Sequence, residues 1–370
     1  MTPAPLVYYI TAHGYGHGVR SCDILRAFGR LYPAHPVVIV SDLPEDFLRN
    51  RLGPMPVRIR PGSFDVGMVQ LDSVRVDLEG TLVGLRELYA RREELVGQEA
   101  RFLREVGAAG VVVDIPAIPL EAVSAAGLPS VAVANFGWNW IYREFAGLDA
   151  GWLEIVDAIE AGYAGADLLL RLPFSESMEV FRTIEDVPVL AAPGRERRRE
   201  IAEMTGARTD VPWTLLSFTS LSWDDRALDR VAALRDREFF TVLPLMWPRS
   251  NIHAVDREIV PFWDVVASVD SVLSKPGYGI VSDCAVNCKP LVYVERQDFG
   301  EFAVLEDAIR RYLRHVHIPA AELYAGNLES WLEQAQSAPQ PPERVRSGGA
   351  AVAARRIFEV VWGGRAVVPG

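Results

Sequence analysis

The chain is 370 residues long, with 49 acidic against 38 basic residues for a net charge of -11, and 49% of it is hydrophobic. Such a length exceeds what one core usually supports, so two domains are the default, and the acidic balance argues against nucleic acid or an anionic membrane as the main partner. Three cysteines (Cys22, Cys284, Cys288) are too few for a disulfide framework and fit a reducing cytoplasm; no apolar run reaches a transmembrane length, and the N-terminus lacks the form of a signal peptide.

The first informative stretch runs from Val7 to Phe28. An apolar run, Val7 to Thr11, predicts a strand; Gly14, Gly16 and Gly18 predict a turn; Ile24, Leu25 and Phe28 fall at helical spacing. Glycines there let backbone approach a ligand, and the helix start behind them offers unpaired N–H groups. The spacing G-x-G-x-G departs from the G-x-G-x-x-G of a dinucleotide site, and His13 and His17 lie inside the turn. The turn is equipped for proton transfer more than for holding NAD.

Further strands are predicted at 36–40, 57–60, 111–114, 131–134 and 168–170, with one long helix from about 82 to 106. A proline- and arginine-containing stretch, 188–212, reads as a linker followed by a short surface helix. A second series of strands follows at 213–218, 239–243, 271–274 and 290–294, then a polar break at 337–342 and a closing helix at 350–362. Alternating strands and helices predict parallel sheets covered on both faces. The expectation is α/β: two Rossmann-like domains, 1–190 and 191–345, with the closing helix able to return to the first. Ligands bind beyond the carboxyl ends of such strands, so the two domains are expected to face each other across a cleft.

The second concentration of chemistry is 274–301. A strand enters the turn Pro276-Gly277-Tyr278-Gly279 and then a helix carrying Asp283. Backbone N–H groups, Ser274 and Lys275 could all meet the oxygens of a diphosphate. Asp283 could accept from a ribose diol, and Asp298 and Glu301 from sugar hydroxyls.

Five segments (11–20, 64–81, 135–145, 215–223 and 274–302) resemble, in order, glycosyltransferases of the two-Rossmann-domain GT-B type. The resemblance is to the group containing the bacterial enzyme that adds N-acetylglucosamine to a peptidoglycan lipid precursor, and more closely to the glycosyltransferase-like N-terminal half of plant L-arabinokinase. No glycine- and serine-rich phosphate loop of the GHMP kinase kind follows Glu301, which disfavours arabinose phosphorylation. The resemblance implies that His17 is the general base and that Asp283 binds the nucleotide ribose. It places the turn Ser217 to Ser220, with Thr219 within it, near the donor diphosphate, although Phe218 and Thr219 replace the usual glycines. It puts Asp298 and Glu301 near the donor sugar, and Gly16, Asp65, Gln70, Asp72, Asn135, Trp138, Asn139 and Trp140 on the acceptor side.

Plainer roles stand beside these. His17 could be a structural residue of the helix start; His13 is its competitor as base or holds the turn; Asp114 is either a catalytic carboxylate, the next candidate base, or a helix cap. The aromatics at 136, 138, 140 and 142 could pack or could face sugar rings, and Cys284 and Cys288 read as small core residues. The expected activity is inverting transfer of a sugar, hexosyl or N-acetylhexosaminyl, from a nucleotide-diphosphate (UDP-type) donor to the hydroxyl of a small-molecule or lipid-linked acceptor. It needs no cofactor and no metal, and the sequence has no Asp-x-Asp triplet to hold one. A nucleotide-sugar 2-epimerase and a non-catalytic sugar-nucleotide-binding module are the alternatives.

Overall fold

A computed structural model describes residues 3–69, 76–295 and 300–363. The chain divides into two compact units, 1–190 with 348–370, and 191–347.

The first unit is built on seven parallel strands: β1 (Leu6–Ile10), β2 (Val37–Val40), β3 (Val57–Arg60), β4 (Gly110–Asp114), β5 (Ser130–Ala134), β6 (Leu168–Arg171) and β7 (Ile184–Asp186), in the order β3-β2-β1-β4-β5-β6-β7. Residues of β1, β2, β4 and β5 are buried throughout, because helices cover both faces and leave no polar side for the strands to alternate against. The second unit repeats the plan with β8 (Trp213–Ser217), β9 (Glu238–Val242), β10 (Ile252–Val255), β11 (Ser271–Ser274), β12 (Leu291–Tyr293) and β13 (His315–His317), in the order β10-β9-β8-β11-β12-β13. Its core gathers Leu216, Phe239, Leu273, Val292 and Ile318.

Strand order reverses between β1 and β4 in one sheet and between β8 and β11 in the other. Sheets of this kind open a crevice at such a reversal, beyond the strand ends. Both glycine-containing turns lie there: β1 leads into the helix Tyr15–Leu31, and β11 into the helix Tyr278–Val286. Register then sets what faces what, since Ile10 pairs with Asp114 and Ser274 with Ser217.

Several details differ from the sequence reading. The long helix is two, Leu78–Ala90 and Arg92–Glu105, because Arg91 turns out of helical geometry and its N–H bonds back three residues to Leu88. Three strands not foreseen, β7, β10 and β13, are short edge strands with sequences IED, IHAV and HVH. An edge is only half covered, so it tolerates polar residues and loses the apolar signature. The closing helix Gly349–Trp362 packs on the first unit, where Phe358 stacks on Tyr32 with ring centroids 3.9 Å apart.

Candidate active site

At the carboxyl end of β4, Asp114 is fully buried and makes four side-chain contacts. Arg20 gives Nε to its Oδ2 at 2.8 Å and Nη2 to its Oδ1, and Ser21 gives its hydroxyl to Oδ2 at 2.7 Å. The fourth contact is Nδ1 of His17, 2.8 Å from Oδ1. Burial alone would raise the Asp114 carboxyl, but the charges and hydrogen bonds of Arg20 and His17 outweigh it and hold the group well below the usual carboxylate range. A neutral imidazole that donates Nδ1–H to this carboxylate keeps its lone pair on Nε2. Among the described residues nothing hydrogen-bonds that Nε2, and the ring meets Phe136 edge-on.

Local sequence explains why these groups converge. Gly14, at φ +81°, turns the chain from β1 into its helix with a backbone that L side chains rarely adopt. On that helix His17, Arg20, Ser21, Ile24 and Phe28 share one buried stripe at three- and four-residue spacing. Arg20, 5% exposed, was not singled out from the sequence, although a charged residue in line with Ile24 and Phe28 is the signal that would have found it.

The acceptor-side residues divide. Thr11 donates its hydroxyl to Asp65 Oδ1 at 2.7 Å, and Trp138 donates Nε1 to Oδ2 at 2.9 Å. Burial pushes the Asp65 carboxyl up, against the pull of those two bonds and of the His17 charge. Beside it a cavity of about 350 Å³ is lined by Ala12, His13, Gly14, Ser63, Asp65, Val66 and Met68. His13 is half-buried there, edge-on to Trp138. Gly67 backs its ring so closely that a Cβ would lie 2.1 Å from Nδ1, at a φ of +66°. Gly16 is exposed and Trp140 half-buried.

Three of the residues named for the acceptor side make contacts within the protein. Asn135 is buried and accepts from Arg20 Nη1 at 2.6 Å. Asn139 is buried and donates to Glu160 at 2.9 Å. Trp138 is 1% exposed. The alternation of aromatics does not make a common face, because the segment is a helix, Trp138–Arg143, in which Trp138 stacks on Tyr142 one turn away. Gln70 and Asp72 lie outside the described residues.

In the second unit, Ser274 is buried and donates its hydroxyl to the Ser217 carbonyl at 2.7 Å. That bond ties two strand ends together and takes the hydroxyl proton expected to meet a diphosphate. Phe218 points into the core, while Thr219 and Ser220 are exposed. Gly277 and Gly279 have open space where a Cβ would stand, and the helix they begin has no side-chain cap at its start. Lys275 and Asp283 are half-buried at this end, Tyr278 is buried, and Glu301 is buried at the start of the helix Glu301–Tyr312. Asp298 lies outside the described residues.

Two parallel-sheet units of this topology define the GT-B fold of glycosyltransferases, and solved structures agree over the whole length. The crystal structure of CalG4, the calicheamicin glycosyltransferase, matches with a TM-score of 0.66 at 17% identity, covering 99% of each chain. Arabidopsis thaliana UGT89C1 complexed with UDP-L-rhamnose matches at 0.58 and 15% identity, covering 98% of this chain and 96% of that one. In sequence, the chain is similar to L-arabinokinase of Arabidopsis thaliana, 29% identical over 348 residues. That is 89% of this chain but 32% of the relative, so the chain spans about a third of the relative's length. No protein-family model matches. No helix among the described residues is long and apolar enough to cross a membrane.

Proposed function

We propose that the chain is an inverting glycosyltransferase that moves a sugar from a nucleotide-diphosphate donor to a hydroxyl acceptor in the cytoplasm. The observation that carries this reading is the 2.8 Å contact between His17 Nδ1 and the buried Asp114 carboxylate; with Nδ1–H donating there, Nε2 holds the lone pair of a base. The acceptor oxygen attacks the anomeric carbon, its proton passes to His17 Nε2, and the bond from that carbon to the diphosphate oxygen breaks with its electron pair leaving on the diphosphate. Asp114 orients the ring and stabilises the imidazolium; with all its lone pairs facing donors inside the protein, it is poorly placed to be the base itself.

On the donor side, the N–H groups behind Gly277 and Gly279, together with Lys275, bear the charge of the leaving diphosphate, so the route draws on no metal. Asp283 takes the ribose, and Glu301 the sugar hydroxyls. The cavity beside His13 and Asp65 takes the acceptor. The likeness to structures such as the calicheamicin glycosyltransferase and UGT89C1 complexed with UDP-L-rhamnose supports a nucleotide-sugar donor.

A thermal-shift screen against UDP, GDP, ADP, CMP and dTDP and their sugars tests it. A ligand at 100 times its dissociation constant stabilises by about 2.7 kcal/mol. A shift with a sugar nucleotide, followed by release of free nucleotide diphosphate on adding acceptor, is the expected result. No shift with any of them would sink the donor assignment, and an epimerised donor without free diphosphate would make the protein an epimerase.

A further inference from the structure

We propose that Arg20 is a positioning residue that selects the tautomer and sets the basicity of His17. This rests on His17 being the base, and its ground is a triangle of atoms. Arg20 Nη2 reaches both Asp114 Oδ1 and His17 Nδ1, the latter at 2.9 Å, while Nδ1 and Oδ1 are 2.8 Å apart. A ring nitrogen has one position for a proton or a lone pair. Either Nδ1–H donates to Asp114 and Nε2 is free to take a proton, or Nδ1 accepts from Arg20 and Nε2 carries the hydrogen. The second arrangement has no base. Arg20 therefore stabilises the inactive tautomer through Nη2, and opposes it by holding Asp114 ionised.

The guanidinium cannot swing away from this choice. Its Nε is fixed on Asp114 Oδ2 and its Nη1 on Asn135 Oδ1, so the planar fork has one orientation. That gives Asn135, buried at the end of β5, a role in the same device. Charge adds a second effect. Among the described residues, the charged groups facing His17 include Asp114 from β4, Arg20 from its own helix and Asp65 from the segment after β3. The Arg20 cation opposes the pull of the Asp114 carboxylate on a ring proton.

The test reads His17 directly, by nitrogen-15 NMR of the imidazole through a pH titration of the full chain. Arg20→Met should move the His17 midpoint upward by roughly one pH unit or more, the size expected when a neighbouring charge is removed. It should also shift the neutral ring towards the Nδ1–H tautomer. Because that variant leaves Asp114 buried without its partner, a second comparison is made on a neutral background: Asp114→Asn against Asp114→Asn with Arg20→Met, where removing the cation should again raise the midpoint. A purely structural Arg20 would alter stability and leave midpoint and tautomer where they were, and that result in either comparison overturns the proposal. If the titration moves as expected but His17→Ala retains full turnover, the inference stands and the assignment of the base falls.

Discussion

The two units share a sheet topology and end it in opposite ways. Where β1 and β4 part, the first unit buries a carboxylate, a guanidinium and an imidazole in mutual contact. Where β8 and β11 part, the second unit closes two serines on each other and presents a turn with open space beside Gly277 and Gly279. At one end the charges satisfy one another; the other presents a glycine-containing helix start with no side-chain cap. The contrast teaches that proton transfer and anion binding need different kinds of preparation. A base must be aimed before substrate arrives, whereas a diphosphate brings enough charge to be held by N–H groups already in place.

The contrast breaks most sharply at His17. His17→Ala should lower single-turnover rate by about 10²–10⁴-fold, with nucleotide affinity unchanged. Loss of nucleotide binding in that variant would show that the first unit also holds the donor. Next in size is Asp114→Ala, which strands Arg20 as a buried, uncompensated charge and should reduce stability in urea by about 3–5 kcal/mol. Acid titration of stability sharpens the point. Because the Asp114 carboxyl is depressed in the folded chain, its contribution is fully present above the ordinary carboxylate range and is lost only as pH falls towards its own lower value. Asp65, whose carboxyl is raised, runs the other way: its ionisation opposes folding as pH rises from the ordinary range through the folded value.

In the second unit, Asp283→Ala should weaken nucleotide binding by roughly 1–3 kcal/mol and leave the melting temperature nearly unchanged. A large drop in melting temperature would mean that this end, too, is held by internal charge. The smallest effect is reserved for Ser274→Ala, which removes one hydroxyl bond between strand ends and should cost about 1 kcal/mol of stability with no change in donor affinity. Calorimetric binding that weakens without a stability loss would return Ser274 to the diphosphate.

How much of this was legible depended on distance along the chain. The strand–turn–helix units are local, so glycines, a run of β-branched residues and a helical stripe disclosed them at both ends. The Arg20–Asp114 pairing joins positions 94 apart, and nothing in either neighbourhood names the other. Asp114 could be seen closing an apolar strand, but whether it was base, cap or support depended on its three partners from the helix Tyr15–Leu31. Asn135 and Asn139 lay in a matching segment, but their bonds to Arg20 and Glu160 come from distant parts of the chain and could not be read locally. The edge strands were hidden by their own polarity.

The helix Gly349–Trp362 has a consequence for the order of events at the ribosome. Its Ala353, Ala354, Ile357 and Val361 are buried in a unit whose other residues end at 190, so the second unit, continuous over 191–347, is a complete insert within the first. Synthesis delivers the insert whole while its host still lacks the piece that covers Phe28 and Tyr32. The first unit can therefore complete its core only after the second has been made. A nascent chain stalled just short of Gly349 would carry a finished second sheet beside a first one with an uncovered aromatic face, the surface on which a chaperone would be expected to wait.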